Sequence, residues 1–169
     1  LILSLIGDVP GRLENCGKNL EGCPIYIDYA HTPDALENVL TSLRQIYPKP
    51  ANKLILVFGC GGGRDKNKRP FMGAIAEKHA DSVILTSDNS RKEDPLNIIE
   101  DILKGVKDKS QIMINTDREL AINISIKSAK KNDVILIAGK GHEEYQETLS
   151  EKKYFSDKAI IKKLLGEEI

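Results

Sequence analysis

Two five-residue runs without a polar member, Leu54-Ile55-Leu56-Val57-Phe58 and Val134-Ile135-Leu136-Ile137-Ala138, constrain the fold more than anything else in this sequence. A strand with one face in water alternates apolar and polar residues. A run that is apolar at every position suits a strand covered on both faces, as in parallel sheets flanked by helices. Similar runs lie at Ile25 to Tyr29, Val83 to Thr86 and Ile112 to Ile114, and a last short strand is expected near Lys153 to Phe155.

Amphipathic segments separate these runs. Pro33 to Ile46 has Thr32 as N-cap, proline at the first helical position, and Leu36, Val39, Leu40 and Leu43 on one face. Arg69 to His79 carries Phe71, Met72 and Ile75. Asp94 caps Pro95 to Val106, with Leu96, Ile99, Ile102 and Leu103 inward; Asp117 caps Arg118 to Lys130, and Ser156 caps Asp157 to Leu165. The alternation predicts an α/β fold: a Rossmann-like, mostly parallel sheet of about six strands with helices on both faces.

At 169 residues the chain makes one domain with a real core. Lys+Arg and Asp+Glu both number 25, so the net charge is zero, without the basic footprint of a nucleic-acid binder. Three cysteines, an odd number without metal-ligand spacing, do not make a disulfide framework or a zinc site and fit a cytoplasmic location. No apolar run approaches the roughly 18 residues of a membrane helix, so no membrane partner is expected. The chain opens on Leu1, and Leu1 to Gly7 reads as the tail of a helix ending at glycine.

The chemistry sits in loops that follow strands. In an open α/β sheet, ligands collect beyond the carboxyl ends of the strands. Ser87-Asp88-Asn89-Ser90-Arg91 puts a carboxylate, an amide and a guanidinium there, and a guanidinium grips a carboxylate through two parallel hydrogen bonds. Gly59 to Pro70 combines glycines with basic residues, but it is neither a Walker A loop nor a Gly-x-Gly-x-x-Gly fingerprint. Its Cys60 reads as a small packed residue, since no base stands near it. In Gly139-Lys140-Gly141-His142-Glu143-Glu144, one of the glutamates suits a substrate ammonium. Asp28 and His31, at the end of the first apolar run, suit a ribose and a base, or equally the loop's own backbone. Pro10-Gly11-Arg12 reads first as a turn.

Taken together and in order, Pro10-Gly11-Arg12, Asp28-Tyr29-Ala30-His31-Thr32-Pro33-Asp34, Gly59-Cys60-Gly61-Gly62, Arg64-Asp65-Lys66, Lys68-Arg69-Pro70, Asp88-Asn89-Ser90-Arg91 and Gly139-Lys140-Gly141-His142-Glu143 resemble the Mur ligases. Within that family the resemblance is to the C-terminal domain of the ligase that adds the third residue of the peptidoglycan stem peptide. It covers the chain from about Pro10 to the end. The family's Walker A loop and carbamylated lysine, which belong to its central domain, have no counterpart here. The resemblance therefore implies a piece of a longer enzyme: residues 1–9 are the tail of the preceding domain or a linker, and residues 10–169 the C-terminal domain.

It also implies an ATP- and magnesium-dependent reaction in which meso-diaminopimelate is joined to UDP-MurNAc-L-Ala-D-Glu, with a monomer as the default state. The fragment alone is expected to be inactive and to hold no catalytic residue and no metal of its own. Arg12, Asp28 and His31 match family positions that approach ATP. Arg64, Asp88, Asn89, Arg91, Gly139 and Glu143 match the part that holds the incoming diamino acid. Arg91 is implied as the selector for the far carboxylate that lysine lacks. Family members that add meso-diaminopimelate usually read Asp-Asn-Pro-Arg where this sequence has Ser90, which removes the proline's restriction on the loop. The competing readings are a lysine-adding or folylpolyglutamate synthase-type ligase, and a non-catalytic module that holds an amino acid or nucleotide.

Overall fold

The computed structural model describes residues 9–166. The expected helix tail at Leu1 to Gly7 lies outside them. Eight strands and five α-helices are found among the described residues: β1 (Glu14–Lys18), β2 (Pro24–Asp28), α1 (Pro33–Ile46), β3 (Leu54–Phe58), α2 (Lys68–His79), β4 (Ser82–Leu85), α3 (Pro95–Leu103), β5 (Ile112–Ile114), α4 (Arg118–Ser128), β6 (Val134–Ala138), β7 (Tyr145–Glu147), β8 (Lys152–Tyr154) and α5 (Asp157–Leu165).

Six strands form one sheet in the order β1-β2-β6-β3-β4-β5. All neighbours are parallel except β1, which runs antiparallel to β2 at the edge. The two apolar runs lie side by side at the centre, Leu54 opposite Val134 through Val57 opposite Ile137. Their side chains alternate between two cores. Leu54, Leu56, Phe58, Val134, Leu136 and Ala138 pack under α1, α2 and α3. Ile55, Val57, Ile135 and Ile137 pack under α4 and α5. All ten of these strand residues are at most 5% exposed, so a polar side chain at any of them would be removed from water on whichever face it pointed to.

The four expected caps are present: Thr32, Asp94, Asp117 and Ser156 each accept a backbone N–H from the first turn. Four expectations need correction. The sixth strand of the sheet is β1, not the segment near Lys153. That segment, as β8, pairs with β7 in a separate hairpin. β1 was hidden because an edge strand with polar residues has no apolar run. Helix α3 stops at Leu103 rather than Val106, with Gly105 in the turn that follows, and α4 stops at Ser128 rather than Lys130. Leu96 is 53% exposed; the inward stripe of α3 is Ile98, Ile99 and Ile102, and at about 100° per residue Leu96 stands roughly 110° from its centre.

Helices α2 and α3 touch at Gly73, where an added Cβ would lie 2.1 Å from the Ile102 carbonyl oxygen. Alanine inside a helix is ordinarily better than glycine by about 0.5–1 kcal/mol. Here the overlap is with backbone, and overpacking costs roughly 1–3 kcal/mol. Gly73→Ala is therefore expected to lower the urea midpoint; an unchanged or raised midpoint would show that the two helices slide apart at little cost.

Candidate functional site

Strands β2, β6, β3 and β4 are consecutive neighbours and parallel, so their carboxyl ends emerge together. The loops that follow them enclose a cavity of about 430 Å³. Tyr29 and His31 come from the β2 loop, Gly139 and Glu143 from the β6 loop, Gly61 and Arg64 from the β3 loop, and Asp88, Asn89 and Arg91 from the β4 loop. Gly139 has φ +114°, and a Cβ there would sit 2.8 Å from the Asp88 carboxylate. Only glycine lets the β6 and β4 loops approach this closely.

Behind the cavity wall lies a lysine. Lys140 is 0% exposed. Its Nζ donates to Asn89 Oδ1 at 2.9 Å and to the Tyr145 carbonyl at 2.7 Å. It stands 3.7 Å from both Asp88 Oδ1 and Glu143 Oε2. Burial pushes this ammonium below its ordinary value, while Asp88, Glu143 and Asp157 oppose that shift and Arg118 adds to it. Asn89 Nδ2 in turn donates to Glu143 Oε2 at 3.1 Å.

Arg91 adopts φ +51°, a left-handed conformation that costs a side-chain-bearing residue of order 1 kcal/mol. Its backbone N–H donates to the Glu147 carbonyl at 3.0 Å. Its Nη1 donates to the Gly62 carbonyl at 2.8 Å, and its Nε lies 3.3 Å from Glu147 Oε2. The guanidinium is thus held at the cavity by the β3 loop and by β7.

Two further arginines hold the loops. Arg118 and Asp157 are fully buried and meet through two bonds, Nε to Oδ1 at 2.8 Å and Nη2 to Oδ2 at 2.7 Å. Arg118 also donates to the carbonyls of Ser87 and Ala138, at 3.3 and 3.1 Å, so it ties the ends of β4 and β6 together. Arg69, also 0% exposed, donates to Glu93, Asp101 and the Gly61 carbonyl. The Arg69 guanidinium and the Gly63 N–H hold the Glu93 carboxyl down at about 2, against an ordinary 4.5. Sequence reasoning missed Lys140, Arg118 and Asp157 as parts of the site. Arg118 and Asp157 each open a helix, where a charge ordinarily faces water, so no local signal marks them.

The structure brings Arg64, Asp88, Asn89, Arg91, Gly139, Glu143 and His31 to one cavity. Arg12 and Asp28 do not line it. Asp28 instead accepts the backbone N–H of Leu13 at 2.6 Å and of Ala30 at 2.7 Å. Burial pushes its carboxyl up, against those two N–H groups and the charge of Arg12. Arg12 is exposed, in a turn closed onto Val9. His31 is exposed at the rim, its Nδ1 2.8 Å from the Tyr29 carbonyl and its ring 4.5 Å from the Tyr29 ring. Cys60 is packed, its Sγ 3.6 Å from Met72 Sδ, and burial pushes its thiol up to about 12. Among the described residues no group of three or more His, Cys, Asp or Glu side chains is placed to hold a metal ion. None of the described helices is long and apolar enough to cross a membrane.

A parallel α/β sheet with guanidinium, carboxylate and amide groups gathered at its carboxyl edge has the arrangement of a domain suited to a small charged ligand. Residues 11–141 match the family model described as Mur ligase, glutamate ligase domain, and the chain belongs to that family. It is 50% identical over 94% of its length to the UDP-N-acetylmuramoyl-L-alanyl-D-glutamate--2,6-diaminopimelate ligase of Aquifex aeolicus (strain VF5), and 49% over 98% to that of Chlorobium phaeobacteroides. It spans 32% of either relative, about a third. A solved structure of a ligase of the same name superposes with a TM-score of 0.84 at 41% identity, over 96% of this chain and 32% of that one. A domain from a putative ligase of Haemophilus ducreyi shares the fold, with TM-score 0.59 and 20% identity, over 92% of this chain and 98% of that one, so the fold stands there as a separate domain.

Asp157→Ala would leave the Arg118 guanidinium buried without its partner, and such losses cost about 3–5 kcal/mol. The expected result is a large drop in urea midpoint; a drop under about 1 kcal/mol would show that Arg118 does not depend on the pair. Glu93 gives a second test. Its folded-state value lies below its unfolded one, so its contribution is complete above about pH 4.5 and lost as pH falls toward 2. The difference in stability between wild type and Glu93→Gln is expected to shrink over that window in urea titrations; a difference independent of pH would break the assignment to Arg69.

Proposed function

We propose that this chain is the C-terminal domain of an ATP-dependent acid–amino-acid ligase that joins meso-diaminopimelate to UDP-MurNAc-L-Ala-D-Glu. Residues 10–169 form that domain and residues 1–9 lead in from the preceding one. The observation that carries the reading is the pairing of charges around one cavity: guanidiniums from Arg64 and Arg91, a carboxylate from Glu143 and the amide of Asn89. A ligand with carboxylates at two ends and an ammonium between opposing groups satisfies that set. The names of relatives at about 50% identity point to the same amino acid.

In the reaction, ATP phosphorylates the γ-carboxylate of the D-glutamate. The amino group of the incoming residue attacks the acyl phosphate, forming the amide and releasing phosphate. This domain's share is positioning, which converts an encounter between two substrates into a step between oriented groups. Arg64 and Arg91 hold carboxylates through charge-assisted bonds, and Glu143 accepts from the distal ammonium. Arg12, Asp28 and His31 complete the nucleotide site when the domain closes on its neighbour. Magnesium neutralises phosphate charge in such reactions and is held mainly by the enzyme's central domain. The proposed UDP-linked substrate and ATP support a cytoplasmic location.

The test uses the full-length parent enzyme, with meso-diaminopimelate and L-lysine compared in wild type and Arg91→Ala. An arginine left without the far carboxylate penalises lysine by about 2–5 kcal/mol, at least roughly 30-fold. Wild type is expected to prefer meso-diaminopimelate by that margin, and the preference to collapse in the variant. Equal use of lysine by wild type, or ligation of neither amino acid, overturns the reading.

A further inference from the structure

Asn89 offers two chemically opposite faces, a carbonyl oxygen that accepts and an NH₂ that donates. Which face meets the ligand depends on what holds the other. On the inner side stand Lys140 Nζ, 2.9 Å from Oδ1, and the Glu147 backbone N–H, 3.0 Å from the same atom. An ammonium and a peptide N–H both donate. On the cavity side stands Glu143 Oε2, 3.1 Å from Nδ2, and a carboxylate accepts. All three neighbours select one orientation of the amide.

We propose that Lys140 is a positioning residue that fixes the flip of the Asn89 amide, so that Asn89 meets the incoming amino acid as a donor to its carboxylate. The inference rests on the ligase reading above and adds to it a residue that sits behind the cavity wall. Lys140 is held for this task on all sides. The Tyr145 carbonyl takes a second bond from it at 2.7 Å, Asp88 and Glu143 flank it at 3.7 Å, and it reaches no solvent. The same arrangement orders Glu143. Its Oε2 takes the Asn89 N–H at 3.1 Å, and the Tyr29 hydroxyl also bonds its carboxylate. Without Lys140, the amide keeps one inner donor and loses the charge that makes the flip costly.

The experiment measures KM for meso-diaminopimelate and for ATP in the full-length ligase, in wild type, Lys140→Met, Asn89→Ala, the double variant and Asn89→Asp. Methionine keeps the volume and removes the donor. A charge-assisted bond of this kind corresponds to about a ten- to hundredfold change. Lys140→Met is expected to raise KM for the amino acid by that factor and leave KM for ATP unchanged. Added to Asn89→Ala it is expected to do little more, because its effect passes through Asn89. Asn89→Asp is expected to bind the amino acid no better than Asn89→Ala, since it offers the ligand an oxygen. Equal rises in both KM values, full additivity in the double variant, or retained binding in Asn89→Asp would each overturn the proposal.

A wild type that ligates no meso-diaminopimelate refutes the ligase reading instead. The flip is then read from the Asn89 side-chain NH₂ by NMR in the 169-residue chain. Its exchange is expected to be slow in wild type and fast in Lys140→Met; identical exchange in the two overturns the positioning role.

Discussion

Burial of the central strands on both faces governs everything else in this molecule. A strand that gives alternate residues to two cores has no side chain left for chemistry. Leu54 to Phe58 and Val134 to Ala138 are spent entirely on packing. Function is displaced past the strand ends, where the backbone leaves the sheet and side chains become free to point at a ligand. Because β2, β6, β3 and β4 are parallel neighbours, their four ends open on the same edge. Residues up to about 115 positions apart thereby line one cavity, Tyr29 with Glu143 among them.

Crowding that edge with charge has a cost, and the structure meets it by pairing. The side chains of Lys140, Arg69 and Arg118 have no solvent contact. Each is surrounded by carboxylates and carbonyls, because an ion removed from water without partners costs several kcal/mol. The pairing also carries geometric information. Arg118 bonds the carbonyls at the ends of β4 and β6, and Arg69 bonds the Gly61 carbonyl of the β3 loop, so three loops are referenced to buried cations.

The sheet was legible because its core strands are apolar without interruption and its helices begin with Thr32, Asp94, Asp117 and Ser156 as caps. Those signals are local. β1 was not legible: Glu14-Asn15-Cys16-Gly17-Lys18 becomes a strand only by pairing with β2. The cavity residues of the β3, β4 and β6 loops stood out through glycines and charges placed just after apolar runs. The buried charges behind them did not. Nothing about Arg118 or Asp157 in its own neighbourhood says that it is dry, since each owes its burial to a partner 39 positions away. Asp28 illustrates the remaining ambiguity: a carboxylate after a strand serves a ligand or a loop, and here both its oxygens meet backbone N–H groups.

The bond of Arg118 to both the Ser87 and Ala138 carbonyls also bears on how a ligand arrives. Two of the loops are riveted to each other before anything binds, so they surrender little conformational freedom when it does. The segment from Gly63 to Asn67 is exposed by contrast, and Arg64 projects from it. On the proposed reading, capture divides between a half tied together in advance by Arg118 and an exposed half that carries Arg64. Selectivity would be written in equilibrium contacts to the first, while the second would set how long the ligand stays.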